Sequence, residues 1–261
     1  MKATLTLVIL LLVFDCTVAQ ESTKGCPVSE VVIIDGIADE WPMIWIHDDD
    51  KIFYYNVCAD DNNLYVRVRT NDHYTKGKMA SFGFTVWIDP NGKKKKKMGL
   101  RFPMGGREAE ERAAAIREQG ERGNSVGERT DYQKLFAQKL IENLEVMELI
   151  GLADDPITST RSGITNGIKV AIALDIEDAY VYEALIPFKA FRLNAASISE
   201  VGVGFETGRF DVPKAKNNAK GGAMMDYTNP SQMSRMQGYG GMIGNPKLTY
   251  ASYAWTTLKL K

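Results

Sequence analysis

The chain has 261 residues, 44% of them hydrophobic and 10% aromatic, enough for one large β domain or two small ones with an ordinary buried core. Lys and Arg number 32 against 33 Asp and Glu, a formal net charge of -1. That balance excludes a global electrostatic drive toward nucleic acid or an anionic membrane, so any basic function has to be local.

Met1 to Ala19 has a lysine at position 2, an apolar run from Leu5 to Phe14 and a small-residue end at Thr17-Val18-Ala19. This is the layout of a cleavable secretory signal, and the run is too short to span a bilayer comfortably. The expectation is an exported protein, periplasmic or extracellular. A lipid anchor at Cys16 is the lesser reading, because Phe14 and Asp15 are bulky and charged where a lipobox has small residues. With the leader removed, Cys26 and Cys58 are the two remaining cysteines. An even count in an oxidising compartment predicts one disulfide between them, with two buried thiols as the alternative.

Val28 to Ile34 is a strand-like apolar run that ends at Asp35-Gly36. Further β-type segments are expected over Ile52–Cys58, Leu64–Arg69, Gly83–Asp89, Met98–Phe102, Ile168–Leu174, Tyr180–Ile186, Val201–Thr207 and Ala251–Leu260, separated by turn clusters such as Asp60-Asp61-Asn62-Asn63. Leu64/Val66/Val68, Ile168/Val170/Ile172/Leu174 and Val201/Val203/Phe205 each present one apolar face, as two packed antiparallel sheets require. Phe82, Phe84, Val86 and Ile88 share a parity, with Trp87 and Asp89 on the other. Asp89-Pro90-Asn91-Gly92 supplies hairpin turn chemistry. Lys93 to Lys97 are read as the exposed tip of the returning strand, with Met98, Leu100 and Phe102 inward until Pro103 stops it.

The fold class expected is all-β, an antiparallel, jelly-roll-like β-sandwich spanning residues 20–261 as a single domain. From about residue 105 to 143 the pattern turns helical and reads as an insertion, in which Tyr132, Leu135, Phe136 and Leu140 recur at a spacing able to pack on the sandwich. Residues 213–246, rich in Gly, Asn and Met, read as a long loop.

Four blocks in order carry a resemblance: Asp35-Gly36-Ile37-Ala38-Asp39-Glu40-Trp41-Pro42, Asn63-Leu64-Tyr65-Val66-Arg67-Val68, Trp87-Ile88-Asp89-Pro90-Asn91-Gly92 and Tyr182-Glu183-Ala184-Leu185-Ile186-Pro187. Together they resemble the family 9 carbohydrate-binding modules and their DOMON-like relatives, most of all an exported branch found in Bacteroidetes-type bacteria. The resemblance implies a β-sandwich that recognises a glycan between aromatic side chains, and calcium as a structural ion. It also leaves open a haem-binding electron carrier, since DOMON-like domains include haem binders with Met and His axial ligands.

Motifs for catalysis are not evident: the sequence has no HExxH and no phosphate-binding glycine loop. Asp175, Glu183 and Glu206 are carboxylates of the type a glycosidase pairs, but read equally as surface or strand-edge groups. Asp48-Asp49-Asp50 and Asp60-Asp61-Asn62 offer hard oxygen ligands without EF-hand spacing. His47 and His73 lack ligand spacing, and the methionines from Met224 to Met242 read as adaptable apolar groups before soft-metal ligands.

Aromatics are the stronger lead. An indole face packs on the C–H groups of a sugar, and Trp87 lies opposite the core parity, while Trp41, Trp45 and Trp255 fall near element ends. The expected ligand-binding residues are Trp87 and Trp41, with Glu40 and Asp89 as hydrogen-bond partners. Burial of Trp87 under the helical insertion is the competing account. The sequence therefore points to an exported, non-catalytic module whose partner is a glycan, rather than nucleic acid. The alternatives are the haem carrier and a structural or partner-binding envelope protein that uses the lysine tip and the long loop.

Overall fold

Alternating apolar residues give each strand one buried face, and two antiparallel sheets close over the core that results. The computed structural model describes residues 32–37, 40–41, 45–105, 109, 111, 126–142, 144–152, 157–161, 167–210 and 246–260. Sheet A holds β1 (Ile46–His47), β2 (Tyr54–Ala59), β3 (Asn63–Thr70), β8 (Lys169–Leu174) and β9 (Tyr180–Pro187), in the order β1-β2-β3-β9-β8. Sheet B holds β4 (Gly83–Asp89), β5 (Met98–Met104), β6 (Val146–Ile150), β7 (Ile157–Arg161), β10 (Glu200–Thr207) and β11 (Tyr253–Lys259), in the order β11-β10-β4-β5-β6-β7. The protein is an all-β sandwich. Val57, Leu64, Val66, Val68, Val170, Tyr182, Ala184 and Ile186 of sheet A meet Phe84, Val86, Ile88, Leu100, Met147, Leu149, Val201, Val203 and Phe205 of sheet B in one core.

Helices close the sandwich rather than build it. Helix α1 (His73–Phe82) carries the chain from sheet A to sheet B. Asp72 caps its start by accepting from the Thr75 N–H at 2.7 Å, and Gly83, at φ 90°, ends it with its N–H on the Met79 carbonyl. Phe82 therefore finishes a helix, where its ring lies 6.2 Å from that of Phe210, instead of starting the strand with the parity of Phe84. The helical stretch expected before residue 143 includes α2 (Val126–Ile141). Leu140 and Phe136 do pack on the core, joined by Ile141, whereas Leu135 faces solvent. Helix α3 (Pro246–Thr249) is a single turn before β11.

Three strand expectations are corrected. Residues 32–34 carry no strand; instead Val32 and Ile34 pack with Trp41, Cys58, Tyr65 and Val181 on the outer face of sheet A. Strand β5 runs through Pro103 to Met104. Lys93 to Lys97 precede β5 and are irregular, all five exposed. The leader, Cys26 and the Gly/Met-rich stretch of residues 213–245 lie outside the described residues. Cys58 is buried.

A buried charged pair organises the outer face of sheet A. Arg67 and Glu183 face each other in register across β3 and β9 and are 2% and 0% exposed. Glu183 Oε2 accepts from the backbone N–H groups of Gly36 at 2.8 Å and Asp35 at 3.3 Å. Burial raises its carboxyl above the ordinary range, against the lowering pull of those N–H groups. The Trp41 indole N–H lies near the same carboxyl without reaching full hydrogen-bond geometry. Arg67 gives an N–H to Asn56 Oδ1 at 2.9 Å and its guanidinium lies 3.7 Å from the Trp45 ring centre and 5.3 Å from that of Trp41. Burial lowers its pKa to about 10, while the Glu183 charge opposes that shift.

The β4–β5 connection is held by Asp89. Its side chain is 0% exposed; Oδ1 accepts from the Asn91 N–H at 3.1 Å and Oδ2 from the Lys95 N–H at 2.9 Å. Its carbonyl accepts from the Gly92 N–H at 3.1 Å, and Gly92 takes the φ of 64° that the turn requires. Burial opposes the charge of Asp89, yet the Lys95 and Asn91 N–H groups, with Lys97 nearby, hold its carboxyl below the ordinary range. A depressed folded value means stability that is present above the unfolded value of 3.8 and lost as pH falls through the folded value. Asp89→Asn is expected to cost about 1 to 3 kcal/mol at pH 7, with the gap to wild type narrowing below about pH 3.8. Urea melts of both proteins at pH 7 and pH 3 measure this; a gap independent of pH sinks the account.

Candidate functional site

The outer face of sheet B carries the arrangement best suited to a ligand. Gly99 of β5 pairs with Trp87 of β4, Trp87 with Gly204 of β10, and Gly204 with Trp255 of β11, so glycine and tryptophan alternate along one row. A Cβ on Gly204 would lie 2.6 Å from Trp255 Cε2, and one on Gly99 3.0 Å from Trp87 Cε3. Each indole thus lies down over a neighbouring strand because no side chain stands there. Both rings stay partly exposed. Trp87 and Trp255 sit two strands apart, about 10 Å by strand spacing.

The adjacent row supplies the polar groups. Arg101, Thr85, Glu206 and Tyr253 follow one another across β5, β4, β10 and β11. Glu206 Oε2 accepts from the Trp87 indole N–H at 2.6 Å and Oε1 from Lys96 Nζ at 2.6 Å. That clamp fixes the Trp87 ring and draws the lysine loop onto the face. Arg101 pairs with Glu148 at 2.5 Å and donates to Thr85 Oγ1 at 3.3 Å. Tyr253 is 69% exposed at the end of the row.

Beside the edge strand β11 the same face runs into a cleft of about 800 Å³. Tyr250, Tyr253, Trp255 and Tyr74 give it aromatic walls, and Asp48 to Asp50 and Lys94 stand at its rim. Lys78 is buried in its wall, with Nζ donating to Ser252 Oγ at 2.6 Å and to the Tyr250 carbonyl at 3.1 Å. Burial lowers the pKa of Lys78, opposed by the Asp72 charge. These bonds tie the entry of β11 to α1 and so hold Tyr253 and Trp255 in place. The Lys247 ammonium lies 4.8 Å from the Tyr74 ring centre on the same side.

The residues expected to form one site are divided by the fold. Trp87 is where its parity puts it, on the outer face of sheet B. Trp41 is 4% exposed and covers the outer face of sheet A with Trp45, so it cannot share a ligand with Trp87. Glu40 lies beside Trp41, with Oε2 buried and unpartnered. Asp89 is 0% exposed with both oxygens taken inside its own turn, so it offers no acceptor beside Trp87; the partly exposed Glu206 occupies that place.

The three carboxylates raised as glycosidase groups are likewise apart. Glu183 is buried under residues 35 and 36. Asp175 pairs with Arg69 and accepts from the Glu177 and Ala179 N–H groups, and Glu206 lies on the other sheet. Asp60 accepts from the Asn62 and Asn63 N–H groups and the Tyr65 hydroxyl, the work of a turn. Among the described residues no cluster of His, Cys, Asp and Glu is arranged to hold a metal ion. The sequence marks Trp255 as an aromatic near an element end, Glu206 as a carboxylate of the glycosidase type and Tyr253 as a strand residue, without bringing the three together. The signal that joins them is the glycine at position 204, outward-facing in its strand, which marks where the Trp255 ring needs room.

If the row is built this way, Gly204→Ala should lift the Trp255 ring from β10. The expected loss is about 1 to 3 kcal/mol of stability, with a shift in tryptophan emission. Gly204 does not need a left-handed backbone, so a neutral substitution would show that the ring does not lie there.

No protein-family model matches this chain, and no curated protein sequence matches it. Among solved structures, a family 9 carbohydrate-binding module from Caldicellulosiruptor kristjanssonii, in complex with glucose, matches at 14% identity and a TM-score of 0.30, over 70% of this chain and 76% of that one.

Proposed function

We propose that this chain is a non-catalytic carbohydrate-recognition module that binds a glycan along the outer face of sheet B. The observation that carries the reading is the row Gly99, Trp87, Gly204, Trp255, in which two indoles lie flat on the sheet and stay partly exposed. Flat indole faces suit the C–H faces of pyranose rings. Their separation of about 10 Å is of the order of a disaccharide repeat in an extended chain. Glu206, Arg101 and Tyr253 supply acceptors and donors at the edges of the rings. A glycan array on the mature protein, followed by affinity electrophoresis, tests this. Trp87→Ala and Trp255→Ala should each weaken binding about five- to 150-fold, from about 1 to 3 kcal/mol per stacked ring. Unchanged affinity in both variants removes the row from the site. A Soret band in the purified protein would instead support the haem-carrier alternative.

The same reading places the protein outside the cytoplasm, with Met1 to Ala19 as its leader and Cys26 bridged to Cys58. Support comes from the burial of Cys58 and from Cys26 being the other cysteine that remains after the leader. Thiol labelling of the unfolded, unreduced mature protein should find no free cysteine. Two labelled thiols per chain would refute the bridge.

A further inference from the structure

Resting on the glycan reading above, we propose that the ligand is an acidic glycan, whose carboxylates or sulfates meet the Lys93 to Lys97 loop while its rings lie on Trp87 and Trp255. The loop is built and not merely solvated. Asp89 pins the Asn91 and Lys95 backbone from within, and the Lys97 N–H closes on the Lys95 carbonyl at 2.8 Å. Lys94 takes a φ of 54°, and the loop folds back over β10, where a Cβ on Gly202 would lie 3.4 Å from Lys94 N. The loop thus lies within contact distance of the outer face of sheet B, one row along from the indoles.

Charge makes the case specific. The chain as a whole is near neutral, yet five consecutive ammonium groups are gathered and all five are exposed. Lys96 is held by Glu206, the same carboxylate that orients Trp87, so cation and indole share one anchor. Lys93, Lys94, Lys95 and Lys97 have no ion pair among the described residues, and Lys94 reaches the rim of the edge cleft. Neighbouring like charges repel, and a ligand with regularly spaced anions relieves that repulsion where a neutral glycan does not. Such binding weakens with salt, because exposed charges are screened within about 8 Å at physiological ionic strength.

Affinity electrophoresis of the mature protein decides it, with de-esterified polygalacturonate, its fully methyl-esterified form, chondroitin sulfate and neutral dextran in separate gels. The variants are Trp255→Ala and the combined Lys93→Ser, Lys94→Ser, Lys95→Ser, Lys97→Ser, which leaves Lys96 on Glu206. The same four positions changed to Arg serve as the charge-preserving control. Retardation by an acidic polymer, weakened at least ten-fold in the Ser variant and in Trp255→Ala and kept in the Arg variant, supports the proposal. The uronate and sulfate gels then say which anion is read. Equal retardation by the esterified or neutral polymer, unaffected by the Ser variant, overturns it while leaving glycan recognition intact. No retardation by any polymer, together with a blank glycan array, overturns both. Acidic retardation that ignores Trp255→Ala and is competed equally by duplex DNA would show a bare cationic patch, which also overturns it. Thermal melting of every variant, expected to shift little for the lysine changes, separates lost binding from lost folding.

Discussion

One buried carboxylate ties the ends of this fold together. Glu183 sits in the middle of sheet A, yet its hydrogen-bond partners come from Asp35 and Gly36, nearly 150 positions earlier in the chain. A carboxylate so deeply placed is costly to leave without donors, so the early segment cannot leave the sheet without exposing that cost. Gly36 is needed there twice over: its φ is 87°, and a Cβ would meet Ala173 at 2.8 Å. Arg67 opposite completes the arrangement, stacked by Trp45 and close to Trp41. The outer face of sheet A is thereby committed to closure, with Val32, Ile34, Trp41, Cys58 and Val181 as its own small apolar cluster.

That commitment decides where a ligand can go. With one outer face covered by the early segment, the face of sheet B that carries Trp87 and Trp255 is the broad aromatic surface left among the described residues. The two faces use tryptophan for opposite ends. On sheet A the indoles lie against a guanidinium, with Trp41 buried; on sheet B they lie over glycines and stay partly exposed, with the Lys96 ammonium 6.0 Å from the Trp87 ring centre. Backbone glycine is normally a weakness in a strand. Gly99 and Gly204 instead set the height of the indoles above the sheet.

Much of the architecture was legible because period-two alternation is a physical requirement of a half-buried strand. Val201/Val203/Phe205 and Phe84/Val86/Ile88 face inward as that rule demands. Helix α1 escaped it: its buried residues are Thr75, Lys78, Met79 and Ala80, a set with two polar members and no apolar stripe to recognise. Proline breaks most ladders, so the sequence predicts that β5 stops at Pro103, yet the strand continues to Met104. The site was half legible. Parity puts Trp87 and Asp89 outside the core and residue type singles out Trp41, but neither signal reveals which partners already occupy a side chain. Glu183 and Arg67 bury Trp41, and the N–H groups of its own turn occupy Asp89.

Glu206 shows why aromatic placement and charge placement are one problem in this protein. Its two oxygens serve different masters, Oε2 the indole N–H of Trp87 and Oε1 the ammonium of Lys96. An exposed Lys–Glu pair alone contributes little to stability. Here the pair also sets a ring orientation, and the lysine arrives from a loop whose backbone is fixed by a separate buried acid, Asp89. Two carboxylates thus divide the labour: Asp89 shapes the loop from inside, and Glu206 docks it onto the face. A cationic segment held at both points stays beside the indoles instead of sweeping through solvent. Less side-chain freedom then remains to be lost when a ligand binds, which is the thermodynamic meaning of a preorganised surface.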